Sequence, residues 1–332
     1  LRGADIYRVI DVEHVPGKEL RVLPEAPRLL PAIRKTAEEI ARATSTEQLV
    51  DSLLEALAHH FDITHSMLLM ADETGSRLFV VASRGYSHSG VGSETLTGVG
   101  VIGISALQQV PIRIMFAANE YRYAHAVRDQ AIRDGEAVDL ERAIPMPGLP
   151  EPASQLAVPI VADDRLRGVL YVESEKVCRF NYDTEDALVT LCNHMGTALV
   201  ALQSQSALHP DAPAAGRGDL PGAEGESVKV KYFSQDHSVF LDNDYLIKGV
   251  AGAILWRLLT LNAQEGRIEF SNRELRLDPA LPLPDISDNL DTRLLLLSRR
   301  LRDKDHHIAI DRHSRGKLRL VLQRPVELLA AG

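Results

Sequence analysis

The chain has 332 residues, 45% hydrophobic and 25% charged, with a formal net charge of −9. That length exceeds one ordinary domain, and two cysteines, Cys178 and Cys192, exclude a disulfide scaffold and fit a reducing compartment. No apolar run approaches the roughly 18 residues of a membrane span, and the first residues lack a charged-then-apolar signal, so a cytoplasmic protein is expected.

Residues 1–28 form an N-terminal extension with a short alternating piece, Ile6-Tyr7-Arg8-Val9-Ile10, to which no function is assigned. From Leu29 to His60 the apolar spacing is helical. Ile33, Ala37 and Ile40 share one face, and Thr44-Ser45-Thr46-Glu47 caps a second helix carrying Leu49, Leu53, Leu54 and Leu57. Strands are expected at His65–Met70 and Arg77–Ser83, joined by the turn Asp72-Glu73-Thr74-Gly75. The glycine-rich stretch 88–104 lacks the Gly-Lys-Ser/Thr of a phosphate loop; its end, Gly100 to Leu107, reads as a loop entering a short helix. Gln109–Ile114 reads as a strand, and 117–152 as a helical segment plus a long loop. Ser154–Val161 and Leu166–Glu173 pair across Ala162-Asp163-Asp164-Arg165, and a long helix follows Phe180.

Residues 207–227, rich in proline, glycine and alanine, form a flexible linker. Beyond it come short strands at Val228–Phe233 and Ser238–Leu241, a helix over Val250–Leu261 and a strand at Arg267–Phe270. Ser271-Asn272-Arg273-Glu274 caps a short helix. Next, Leu290, Leu294, Leu297 and Leu301 recur at helical spacing, and two alternating strands follow around His313-Ser314-Arg315-Gly316. Between Arg293 and Arg319 stand nine Lys or Arg against three Asp or Glu, a local charge of +6. Such a patch attracts a polyanion, with duplex DNA the foremost partner. Everything from Lys229 onward carries +3 and the remainder −12, an acidic body with a basic end.

Two families emerge. Two helices, a hairpin, a glycine-bearing crossover, "SQLAVPIVADDRLRGVLYVES" and "TEDALVTLCNHMGTALVAL" together resemble a GAF domain over roughly residues 30–205. The resemblance implies an antiparallel sheet with helices on one face and a ligand pocket on the other. Glu175-Lys176…Phe180-x3-Thr184-Glu185 departs from the Asn-Lys…Phe-x3-Asp-Glu signature of cyclic-nucleotide members, and Lys176 opposite Glu185 reads equally as a brace between strand and helix. Arg179, where bilin-binding members place a His after the Cys, speaks against a covalent bilin. The order of elements from residue 229 to 324 resembles the winged helix of response-regulator transcription factors. "DNLDTRLLLLSRRLRDK" corresponds to the recognition helix and "IAIDRHSRGKLRLVL" to the wing.

The expected class is therefore α+β, an antiparallel-sheet GAF domain (29–206) followed by a winged helix-turn-helix domain (228–332). Candidate DNA contacts are Arg293, Arg299, Arg300 and Arg302 on the helix and Arg312, Arg315, Lys317 and Arg319 on the wing. Leu295 and Leu296 fall outside the buried stripe, where a groove-reading helix presents polar groups; packing on the GAF domain or a partner is the alternative. Candidate ligand contacts are Gly100, Gly103, Arg113, Tyr121, Tyr123 and His125, around an unknown small-molecule effector. His59, His60, His65, His88, His125 and His194 come with no Cys-x2-Cys spacing, so no metal is expected, and no catalytic constellation is recognised. The reading is a homodimeric, ligand-responsive transcriptional regulator. The alternative is a scaffold built on a GAF dimerisation domain with a degenerate winged helix.

Overall fold

The structure, a computed structural model, describes residues 29–72, 74–116, 144–208, 226–283, 290–304, 307–314 and 316–331. The N-terminal extension, most of the linker, the helical segment expected after 117, Tyr121, Tyr123, His125 and Arg315 lie outside these residues.

The first unit begins with α1 (Leu29–Arg42) and α2 (Thr46–Phe61). Ser45 caps α2 as its sequence suggests, its side chain accepting from the Gln48 amide at 3.2 Å. Strands β1 (His65–Ala71), β2 (Arg77–Arg84) and β3 (Glu94–Leu96) follow, then α3 (Gly100–Gln108) and β4 (Ile112–Ile114). The strand expected from Gln109 starts later because Gln109 ends α3 in the left-handed region (φ 53°). β5 (Ser154–Ala162), β6 (Arg165–Ser174) and α4 (Tyr182–Leu208) complete the unit. The six strands form one antiparallel sheet in the order β3-β2-β1-β6-β5-β4.

Side chains alternate across this sheet as the pleat requires. Leu68, Met70, Leu156, Val158, Leu170 and Val172 face a core shared with α1, α2 and α4. Met67, Leu69, Ala157, Val169 and Tyr171 face the other way, into a smaller cluster closed by Ile102 and Ala106 of α3. Both faces of the central strands are covered, which explains why their sequences are almost continuously apolar.

The second unit opens with β7 (Val228–Phe233), β8 (Ser238–Leu241) and β9 (Asp244–Ile247), then α5 (Gly249–Glu265), β10 (Glu269–Ser271) and α6 (Asn272–Leu277). Ser271 and Glu274 form a reciprocal capping box at the start of α6. The leucine-striped helix α7 (Leu290–Asp303) leads to the hairpin β11 (Ile308–Ser314) and β12 (Lys317–Leu322), and β13 (Val326–Ala331) ends the chain. β10, β12 and β11 form a three-stranded sheet; β13, β7, β8 and β9 form a four-stranded one, in which β13 runs parallel to β7. The apolar core runs without a break from the helix side of the first sheet into this second unit.

Leu68 lies in the central strand β1 and is fully buried. Leu68→Ala should remove about 2–5 kcal/mol of stability through lost burial and the cavity left behind. The measurement is the urea midpoint for loss of far-ultraviolet circular dichroism, which should fall; an unchanged midpoint would contradict this packing.

Candidate functional site

Two regions gather the residues that chemistry could use. The first is the sheet face beneath α3. Gly100 opens α3 with φ +65°, and Gly103 lies so close to the Leu96 carbonyl that a Cβ would strike it. Gly98 donates its amide to the Gly103 carbonyl at 2.7 Å, so these glycines pack α3 onto the turn before it. Ser105 donates to the carbonyl of Val110 at 2.8 Å and lies 3.3 Å from that of Ala157.

Glu173, on the same face as Val169 and Tyr171, is almost fully buried. Its carboxylate accepts from the Leu149 amide at 2.6 Å and from the Tyr171 hydroxyl at 3.1 Å. Burial pushes the Glu173 carboxyl above its ordinary value, against the opposing pull of hydrogen bonds from Leu149, Tyr171 and Tyr86. A cue was present in the sequence: Glu173 continues the alternation of Val169 and Tyr171, so an acid had to sit on an apolar face.

Arg113, a candidate effector contact, is engaged within the unit, with one buried Nη left without a hydrogen-bond partner among the described residues. Its Nε lies 3.3 Å from Glu185, and its guanidinium sits 3.8 Å over the Tyr182 ring, tying β4 to the start of α4. The brace read between Lys176 and Glu185 is therefore corrected: Arg113 reaches Glu185 from β4. Cys192 is buried, which raises its thiol well above the ordinary range, while Cys178 is exposed. Among the described residues, no group of three or more His, Cys, Asp or Glu could hold a metal ion. Nor is any helix among them long and apolar enough to cross a membrane.

The second region is α7. Its leucine stripe packs within the second unit, and Leu295 and Leu296, off that stripe, are buried as well. The helix lies across α2 and β2 of the first unit. Arg299, directly opposite the stripe, pairs with Asp51 at 2.6 Å and donates to the Val81 carbonyl at 3.3 Å. Arg302 pairs with Glu47 at 3.1 Å, and the Arg293 guanidinium lies 4.4 Å from the centre of the Phe79 ring. Ser89 bonds Asp303 across the same junction.

Arg300 points elsewhere, its Nε donating to the Leu246 carbonyl at 2.9 Å inside the second unit. Burial lowers its pKa, with Asp303 and Tyr245 opposing. On the hairpin, Arg312 is ion-paired to Asp291, which also accepts from Asn272 at 3.1 Å. Lys317 and Arg319 are exposed, and Arg319 stands between Asp311 and Glu269 on the neighbouring strands. The eight candidate DNA contacts thus do not form one open surface. Arg293, Arg299 and Arg302 bond or pack onto the first unit, Arg300 and Arg312 make their polar bonds within the second unit, and Arg315 lies outside the described residues.

Sequence reasoning overlooked the partner of that helix face. Glu47, Asp51 and Glu55 recur every four residues, which places three acids along one side of α2.

The comparisons bear on the first unit. A family model described as "GAF domain" matches residues 43–200. This segment is a GAF domain. Similar solved structures include the GAF domain of a phosphoenolpyruvate-protein phosphotransferase from Acinetobacter (20% identity, covering 55% of this chain and 97% of that one, TM-score 0.40). A putative GAF sensor protein from Burkholderia vietnamiensis is 15% identical, covering 56% and 99%, with TM-score 0.41. Free methionine-R-sulfoxide reductase from Neisseria meningitidis is 14% identical, covering 56% and 97%, with TM-score 0.42. None of the curated proteins matches the chain. A GAF domain fits a signalling or regulatory role.

The raised Glu173 pKa carries a pH signature. Below its ordinary value of 4.5 the acid is neutral both folded and unfolded; as pH climbs through the raised folded value, the unfolded chain gains more from ionisation and the fold loses stability. Glu173→Gln removes that titration. In scanning calorimetry from pH 4.5 to 8, the melting temperature of the variant relative to the parent should rise with pH; a constant difference would contradict the assignment.

Proposed function

We propose that the protein is a regulator whose C-terminal unit binds duplex DNA and whose GAF domain withholds the helix that would read it. The observation that carries this reading is the docking of α7. Arg299 lies directly opposite the leucine stripe of α7, Arg302 flanks the stripe on one side and Arg293 on the other, and all three side chains reach the GAF domain. The order sheet, α5, β10, α6, α7 and hairpin supports a winged helix, in which the helix before the hairpin enters the major groove. Undocking of the two units would free three arginines together. Arg300 and Arg312 would stay behind as structural groups. On this reading the protein binds and signals, without catalysis.

The switch follows from differential affinity. DNA and the GAF domain compete for one helix, so an effector that favours either arrangement moves DNA occupancy with it. The scaffold alternative has its own support: Leu295 and Leu296 form part of one continuous core and make docking a packing contact as well as an ionic one. A homodimer belongs to the same proposal. Leu30 on α1 is 80% exposed, and Ile33 and Leu202 beside the core are only partly buried, which suits helix pairing between two GAF domains.

Two measurements test this reading. In full-length protein, Glu47→Ala with Asp51→Ala removes both ion pairs, each worth up to about 1 kcal/mol at such partly exposed positions, and should raise duplex affinity by roughly fivefold to tenfold. Adding Arg299→Ala should abolish the gain. Fluorescence anisotropy at low salt reads the outcome, and no duplex binding by parent or variant would hand the case to the scaffold. Separately, light scattering of the parent should give a dimer mass and Leu30→Glu a monomer mass; a monomeric parent would sink the dimer.

A further inference from the structure

Where α7 crosses α2 and β2, the two units leave a cleft of about 380 Å³ between them, within the size range of small-molecule sites. Its apolar lining is Leu54, Ala82 and Val91; its charged lining is Asp51, Glu55, Arg84, Arg299, Arg302 and Asp303. The acidic stripe of α2 explains why charge is left over here. Glu47 and Asp51 are taken by Arg302 and Arg299, whereas α7 offers Glu55 no arginine. Glu55 keeps a 60% exposed side chain, and among the described residues its one ion-pair partner is His59 of its own helix at 4.0 Å. Asp303, on the opposite wall, is bonded by Ser89 and exposed. Arg84, at the end of β2, is exposed and makes no ion pair among the described residues.

With Asp51, Arg299 and Arg302 taken up in ion pairs, two carboxylates and one guanidinium remain around an apolar floor, and these match one kind of molecule. We propose that this cleft binds a small zwitterion of the amino-acid class, its ammonium group held by Glu55 and Asp303 and its carboxylate by Arg84. An aliphatic stem lies over Leu54, Ala82 and Val91. A purely anionic ligand would meet two like charges, and a simple amine would leave Arg84 unanswered. The site lies on the helix side of the GAF sheet, away from the face beneath α3.

Its position sets its consequence. Glu55 and Arg84 belong to the GAF domain and Asp303 to α7, so the complete site exists only while the two are docked. A ligand that requires both walls binds the docked arrangement alone and stabilises it by mass action. Resting on the proposed competition for α7, this makes the zwitterion a signal that withholds DNA binding.

The test uses full-length parent, Arg84→Ala and Glu55→Gln, both at exposed positions. Thermal unfolding is followed with L-leucine, L-lysine and γ-aminobutyrate, and with propionate and propylammonium as single-charge controls at equal ionic strength. At roughly ten times Kd at least one zwitterion should raise the parent's melting temperature by about 3 °C. Either substitution should abolish that shift, and the controls should give none. The zwitterion should also lower duplex affinity of the parent. No shift with any zwitterion, or an unchanged shift in both variants, overturns the site. A shift of the expected pattern with no DNA binding by any variant upholds the site and removes only its regulatory consequence. Release of DNA binding by the Glu47 and Asp51 substitutions without any zwitterion shift does the reverse.

Discussion

The structure depends on a helix that is buried on two sides. Leu290, Leu294, Leu297 and Leu301 bind α7 into the C-terminal unit, and the opposite side, with Leu295, Leu296 and Arg299, lies on the GAF domain. A helix hydrophobic all round is normally found in the middle of a protein. Here the second burial is achieved by a neighbouring domain instead of by more of the same one. That accounts for the run of four consecutive leucines in a helix that otherwise reads as a basic surface element. It also places the chain's strongest basic region against its acidic body.

The electrostatics of that junction are graded. Arg299 is mostly buried; its two Nη groups reach Asp51, the Val81 carbonyl and, at 3.5 Å, the Glu47 carbonyl, while its buried Nε has no partner among the described residues. Arg302 is 67% exposed, so its pairing with Glu47 is screened by solvent and adds little on its own. Arg293 contributes through the face of an aromatic ring. Apolar packing therefore supplies most of the adhesion, and the charges fix the register in which α7 meets α2.

Much of the fold was legible in the sequence because its signals are local. The cap at Ser45, the capping box at Ser271 and Glu274, and the leucine stripe of α7 all depend on spacing within a few residues, and each stands where the spacing placed it. What escaped depends on distant pairing. β13 is held by β7 almost a hundred residues earlier, and β3 and β9 are short strands whose identity comes from their neighbours. The same limit applied to the site. Arginines on a helix announce a basic surface, but which of them face solvent is decided by what packs on them. Arg300 turns to a carbonyl of β9 and Arg312 to a carboxylate of α7, choices no helical wheel contains. Glu173 was the legible exception, an acid in phase with an apolar face.

The parallel pairing of β13 with β7 has a mechanical consequence. Both strands start at the same end of the sheet, Val228 beside Val326, and run the same way. Tension applied at Val228 enters β7 and acts along its axis. The bonds to β8 on one side and β13 on the other are then loaded together, in shear, and none can open before its neighbours. Peeling would require the pull to come from across the sheet. A pull on the start of β7 is thus spread over two strand ladders before it reaches α7.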